Sequence, residues 1–577
     1  MKKTLLIYFL IVFIPNFAQI PGYKLTNWQY AGNINPIYNL KNKVTLESFG
    51  GKALANFNND TAIVKAINFL KTNGGGTVLF GNGIYTFNQT IVLADSITLK
   101  GNSSNTTLQF NLAGKAKNCI NVYGSISTLK SKFLLAKRGA YTLQLFDGKL
   151  PLKNNIIQLF QNDSALAFST WAYSAIGQLC KVQSVDTFNN SFLLLSPLRL
   201  SFKQAINTYF KILNPIQNVS IECMKIERLD TTSTQTHNIN FNYAFNCRVK
   251  GVETINCNFG HIVFENSLHN EVTQSYIHHA FAYGGGGQGY GVVMQATSSD
   301  NKVENNIFER LRHSNLMQAG ANGNVVAYNY STDPFWSDNA LTNAAGDMVC
   351  HGNYAHSNLF EGNICQNIVV DNSHGKNGPY NTFFRNRAEL YGIISNAQDS
   401  QNYIANEITN TAFFMGQFFV GGVGNFALKN NIKGALQSSS LNVSEPSLYL
   451  NSKPNFLNSN NAFPAFGFPT AYNTNFIASK TRYLDSVEKI FCYTPKQNIA
   501  TSIYKINNQQ FNIYPNPFSN AFKIETELPI NSLEIFDING KKMQFKLQDN
   551  SIDTNLFPHG IYIVIVNHFQ SKIIIKN

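Results

Sequence analysis

Beyond its N-terminus the 577-residue chain has no run of 18 apolar residues. That absence excludes a membrane-spanning helix and points to a soluble mature protein. Its 8 cysteines include no CxxC pair and no zinc-type spacing. Cys247 and Cys257 are near enough in sequence for a disulfide; isolated buried thiols are the alternative and suit the scatter better. Tight acidic loops of the calcium-binding kind are missing, so no cofactor is expected. Calcium at Asp333, Asp338, Asp347 and Asp371 is the one alternative kept open. His351 and His356, five apart in a loop, make a poor zinc pair. Gly284 to Gly287 lacks the strand-to-helix setting of a phosphate loop and reads as a lid. A uniform basic character is missing too, despite a net charge of +13. Residues 1–215 hold 21 Lys and Arg against 6 Asp and Glu, while residues 216–435 hold 12 against 17. The stretch expected to carry the site is acidic, and nucleic acid is not an expected partner.

What the chain does contain is one short phrase repeated between Ile216 and Lys433. Asn270, Asn301, Asn324, Asn358, Asn381 and Asn425 each precede an apolar stretch and are followed five residues later by a small polar residue. These partners are Ser275, Asn306, Asn329, Asn363, Asn386 and Asn430. Asn402 is followed by Asn406, and weaker copies start at Asn218 and Cys247. The period is about 23 residues, with three longer turns. A unit this short, without helical periodicity, cannot bury its apolar residues alone. Stacked as coils of a parallel β-helix, each unit covers the next. Val272, Val303, Val326, Phe360, Phe383 and Ile404 then fill the lumen, and the Asn residues stack as amide ladders at the corners. Equal offset from the repeat Asn means the same line on the surface, with neighbours about 4.8 Å apart.

Met1-Lys2-Lys3, the apolar Leu5 to Ile14 stretch and Phe17-Ala18-Gln19 read as a secretory signal peptide over 1–18. An arm follows over 19–45, then a cap and the coils over 46–435. Asn59-Asp60-Thr61 supplies a helix N-cap, with Ala62, Val64, Ile67 and Leu70 at near-helical spacing. Gly74-Gly75-Gly76-Thr77-Val78, Gly83-Ile84-Tyr85-Thr86-Phe87 and Ser96 to Gly101 are strands after breakers. These motifs resemble the pectate-lyase-like superfamily, which implies an all-β, right-handed parallel β-helix in a polysaccharide-related setting and names no substrate. Residues 115–215 interrupt the repeat as a strand-rich inserted subdomain, and 436–505 read as a packed tail and linker. The block 506–577 opens on Ile513-Tyr514-Pro515-Asn516-Pro517-Phe518. It continues through Leu533 to Asp537, a turn at Asn539-Gly540 and Gly560 to Val564, the pattern of a small β-sandwich. It resembles the C-terminal sorting domain of type IX secretion cargo. The resemblance implies type IX secretion machinery as a partner and a place outside the cell or on its outer surface.

Nine of the 11 histidines lie between His237 and His374. At offsets eight and nine from the repeat Asn, the coils carry His278/His279, Glu309/Arg310, Thr332/Asp333, Gln366/Asn367 and Glu389/Leu390. Arg312, His313, Arg387 and Tyr391 lie nearby in sequence. A lyase must neutralise a uronate, remove the neighbouring proton and protonate the leaving oxygen. Arg310, Arg312 or Arg387 would pair with the carboxylate, and His313, His279 or Tyr391 would move protons. A hydrolase needs two carboxyls across the bond, for which Glu309, Asp333 and Glu389 are candidates. Trp336, Tyr290, Tyr391 and Phe335 would stack on sugar faces, with His278 and His374 reaching the same groove. The expectation is a monomeric polysaccharide lyase or glycoside hydrolase. A non-catalytic glycan-binding or adhesive surface protein is the rival.

Overall fold

The computed structural model describes residues 20–34, 42–203, 207–339, 345–437, most of 439–457, 477–485, 488–492 and most of 511–577. Two compact units emerge, Met1–Cys492 and Tyr493–Asn577. The first is a right-handed parallel β-helix whose coils carry three parallel faces. Face I stacks His237–Asn242, Gly260–Glu265, Tyr290–Gln295, His313–Met317 and Met348–Cys350. Face II stacks Glu271–Thr273, Lys302–Glu304, Val325–Ala327, Leu359–Glu361 and Thr382–Phe384. Face III stacks Tyr276–Ala280, Ile307–Glu309 and Tyr330–Thr332, and then the starts of Ile364–Val370 and Arg387–Ser395.

The repeat Asn residues hold the corners. Asn270 Nδ2 donates to Asn301 Oδ1 at 2.9 Å, Asn301 to Asn324 at 2.9 Å and Asn324 to Asn358 at 3.0 Å. A parallel ladder runs through Asn306, Asn329, Asn363, Asn386, Asn406 and Asn430. Each carboxamide is fully buried, and each oxygen also takes a backbone N–H of the preceding coil. The amide is suited to this place because it donates and accepts without bringing a charge inside.

The lumen is a set of columns. Val272, Val303, Val326, Phe360 and Phe383 lie in one buried cluster, with Phe360 and Phe383 rings stacked at 4.9 Å. The column then continues through Tyr403, stacked on Phe383 at 5.3 Å, and not through Ile404. Gln401, not Asn402, fills the ladder position there, accepting from Asn381 Nδ2 at 3.0 Å. With Asn406 five residues beyond it, the coil keeps the common spacing, and Ile404 turns outward.

Helix α1, Asp60–Thr72, closes the first coils with Ala62, Ile63, Ala66, Ile67 and Leu70 buried. Val64 is exposed, because the 3.6-residue period pairs 63 with 66, 67 and 70. Asn59 makes no capping bond; its amide oxygen accepts from Lys52 N–H and its nitrogen donates to Lys52 and Phe57 carbonyls. Residues 125–214 form a separate seven-stranded antiparallel sheet inserted into the early coils.

The N-terminal arm and the tail cover the outside of faces II and III. Trp28 is buried and donates to Ser357 O at 2.7 Å. Tail residues Val443, Tyr449 and Leu457 pack against outward Val325, Leu359 and Phe384. Helix α2, Ala478–Asp485, lies on face III, where Ser479 Oγ donates to Tyr328 O at 2.7 Å. The second unit has two antiparallel sheets around a core of Phe522, Ile535, Ile552, Tyr562 and Val564.

Candidate functional site

The row anticipated on face III exists as a register but not as an open groove. His278 stands opposite Glu309, and Glu309 opposite Thr332. Tyr276 and Tyr483 hydroxyls both donate to Glu309, the latter from α2 at 3.0 Å. Lys480 of α2 pairs with Glu389 at 2.9 Å. Glu309 and Glu389 are three coils apart, about 14 Å at the sheet spacing. That exceeds both separations a glycosidase uses. His278 stacks on Tyr276 at 3.9 Å and bonds Glu253 at 3.3 Å. Arg387 is buried in an ion pair with buried Glu407 at 2.6 Å, and so is not in a groove. Tyr391 is half-buried, and its backbone N–H donates to Asn367 Oδ1 at 2.6 Å.

His279, Arg310 and Asp333 all take left-handed backbone where the chain leaves face III. Arg310 pairs with Asp333 at 2.8 Å and lies over the Phe335 ring at 4.3 Å. The anticipated convergence of Glu309, Arg310, His313 and Glu389 therefore does not occur. The chain turns a corner after Arg310, and His313 belongs to another wall.

That wall, face I, gathers a different set. Tyr290 and His313 are register partners with ring centroids 4.8 Å apart. His313 Nδ1 donates to Gly346 O at 2.6 Å, and its Nε2 has no partner among the described residues. Burial, reinforced by the neighbouring His351 and Arg312 charges, pushes His313 down to about 3 and keeps the imidazole neutral. His351 lies 5.9 Å from His313 by centroid, and its Nδ1 bonds Asp371 Oδ2 at 2.6 Å. Burial alone would raise Asp371, but the hydrogen bond and electrostatic attraction of the His351 ring hold its carboxyl below the usual value. His374 packs edge-on to His351 at 4.9 Å, and Trp171 edge-on to His374 at 5.8 Å. The Arg312 guanidinium sits over Trp336 at 5.1 Å and Tyr290 at 5.8 Å and donates to Gly284 O. Burial pushes the Tyr290 hydroxyl up, so it keeps its proton.

Face I thus brings together four anticipated residues, Arg312, His313, Trp336 and His374. It adds His351, Asp371 and Trp171, which were not assigned this role from the sequence, and Tyr290, anticipated only as a sugar-stacking ring. Gln318 Nε2 donates to Gln295 at 2.7 Å and Gln295 Nε2 to Glu265 at 2.8 Å, and the outward row of His351 and Asp371 continues these amides. Counting back from the next repeat Asn finds this row: Gln295 and Gln318 lie six residues before theirs and His351 seven. Counting forward crosses loops of unequal length and misses it.

The four aspartates considered for calcium are taken up separately. Asp333 is on Arg310, Asp371 on His351, Asp338 on Gly285 N–H, and Asp347 is buried under Ser331 and Gln366. Among the described residues no three His, Cys, Asp or Glu side chains are grouped to hold a metal. A cavity of about 470 Å³ opens beside the glycine loop, lined by Thr231, Thr232, Ser233, Asn258, Phe281 and Gln288. It holds none of the titratable cluster, which we take as the site because its chemistry is reactive.

A family profile described as a secretion system C-terminal sorting domain matches residues 512–576. The C-terminal unit is a type IX sorting domain. The protein is therefore secreted or displayed at the cell surface, and no helix of the described residues is long and apolar enough to cross a membrane. The β-helix unit is similar to the tailspike protein from Pseudomonas phage LKA1. That likeness has 15% identity and a TM-score of 0.52, and it covers 68% of each chain. It is similar too to the tailspike of Pseudomonas phage phi297, at 12% identity and a TM-score of 0.51, over 67% of this chain and 73% of that one. Both likenesses establish the fold. No curated protein sequence matches the chain.

Proposed function

We propose that this exported β-helix protein acts on an acidic polysaccharide along face I, as a lyase that removes a proton beside a uronate carboxylate. The observation that carries the reading is the His351–Asp371 pair set beside a neutral His313 and a protonated Tyr290. Asp371 orients His351 through Nδ1, which leaves Nε2 to take the proton on C5 of the sugar. The C4–O bond then breaks, a C4–C5 double bond forms, and the Tyr290 hydroxyl protonates the departing oxygen. Arg312 would pair with the carboxylate, whose charge grows as C5 loses its proton. Hydrolysis is less well supported. The carboxyls on this outward row, Glu265 and Asp371, stand four coils apart, about 19 Å, too far to flank one bond.

A screen of uronate polymers for unsaturated ends tests the reading. His351→Ala and His313→Gln should each lower turnover roughly 100-fold or more with the fold retained by circular dichroism, and the His351 variant should also melt earlier, since buried Asp371 loses its partner. New reducing ends without unsaturation would establish hydrolysis instead. Trp171 is 55% exposed and would serve equally as a stacking platform in a non-catalytic glycan-binding protein. That rival predicts saturable binding with no product.

A further inference from the structure

Two cysteines far apart in sequence meet where the tail ends. The register pairs Glu222 with Lys250 and Met224 with Val252, which sets Cys223 beside Gly251 of the next coil. Cys492 lies over both. Its Sγ donates to Gly251 O at 3.4 Å, and Cys223 Sγ donates to Cys492 O at 3.6 Å. The two thiols also act on each other, Cys223 being pushed up and Cys492 down. A Cβ on Gly251 would come within 3.1 Å of Cys492 Sγ, so the missing side chain makes room for the pair. The other six cysteines are enclosed in the body of the unit.

We propose that Cys223 and Cys492 form a disulfide in the exported protein, clamping the end of the tail to the coils. The oxidant is a small-molecule or protein disulfide of the oxidising space that an exported chain enters. One thiolate attacks a sulfur of that disulfide, and the second thiol then displaces the carrier from the mixed disulfide. Two S–H bonds are lost and one S–S bond is gained; two protons and two electrons convert the carrier to its dithiol. Cys492 is the natural attacker: it is partly exposed, and Cys223 holds its thiol below the ordinary value. The bond would close a span of 269 residues. Cys492 is the last residue of the first compact unit, so the clamp sits where that unit ends. Helix α2, which covers Glu309 and Glu389, would then be unable to lift from its C-terminal side.

The test uses the full chain incubated with oxidised glutathione, denatured in an alkylating agent and digested without reductant. Of the 8 cysteines, six should be alkylated before reduction and eight after, with one linked peptide joining 223 to 492. Cys492→Ser should give seven alkylated thiols and the reduced native protein eight; neither should give a linked peptide, and both should show faster proteolysis of 477–492. Eight free thiols after oxidation, or a linked peptide joining any other pair, would overturn the proposal.

Discussion

Replacing Asn329 by alanine is the sharpest test of how these coils hold together. Its amide oxygen accepts the backbone N–H of Asn306 at 2.9 Å and Asn306 Nδ2 at 3.0 Å. Its nitrogen donates to Asn363 Oδ1 at 3.0 Å and Val303 O at 2.9 Å. All of this is buried. The alanine variant loses four bonds, but not equally. Asn306 Nδ2 keeps Val272 O, and Asn363 Oδ1 keeps the Asn329 backbone N–H. The Asn306 backbone N–H loses its acceptor, which costs about 1–3 kcal/mol, and the other three bonds about 1 kcal/mol each at most. The expected loss therefore lies between about 1 and 6 kcal/mol. Urea unfolding followed by circular dichroism would measure it, with the slope checked for constancy, since stacked coils can unfold in stages. A loss under about 1 kcal/mol at unchanged slope would refute the claim that the ladder is a principal source of coil-to-coil cohesion.

Three further outcomes are expected. Burial pushes Glu361 from 4.5 to about 7, against the opposing bonds from Ser447, Leu448 and Tyr328. A carboxyl raised on folding adds stability below its unfolded value and loses it as pH rises through the folded one, here about 3 kcal/mol lost between about pH 4.5 and 7. Glu361→Gln should flatten that slope in unfolding measured across this window, and an unchanged slope would remove Glu361 as its source. Glu309→Gln and Glu389→Gln should keep near-native turnover while the tail becomes easier to cleave, because both carboxylates serve α2; a 100-fold loss of activity would return them to the chemistry. Trp171→Ala should raise KM roughly tenfold on long oligosaccharides, about 1.4 kcal/mol, with kcat little changed; equal kinetics for both proteins would exclude it as a sugar platform.

The coils were legible because their signal is strictly local. An Asn, an apolar residue two positions on and a second small polar residue at five describe one strand and one corner, and every coil repeats them. The exception at Gln401 shows the limit: Asn402 has the right chemistry but is one position late, and a single-residue slip moves Ile404 to the other side of the sheet. The candidate site was legible only in its residue types. Arg312, His313, Trp336 and His374 stood out as chemistry-bearing types, yet they were grouped with Glu309, Arg387 and Glu389, which the structure places on a covered wall. His351 and Asp371 were given no catalytic role from the sequence.

From its residues alone this chain dictates a solenoid, its coil length, its buried amide ladders and its exported class, since each depends on contacts repeated at fixed spacing along the chain. Which wall gathers the histidines was settled only by packing of the whole unit. An arm from one end and a tail from the other bury their apolar residues on faces II and III, and the loop residues 281–289 and 333–339, whose lengths follow no period, decide what stands over face I.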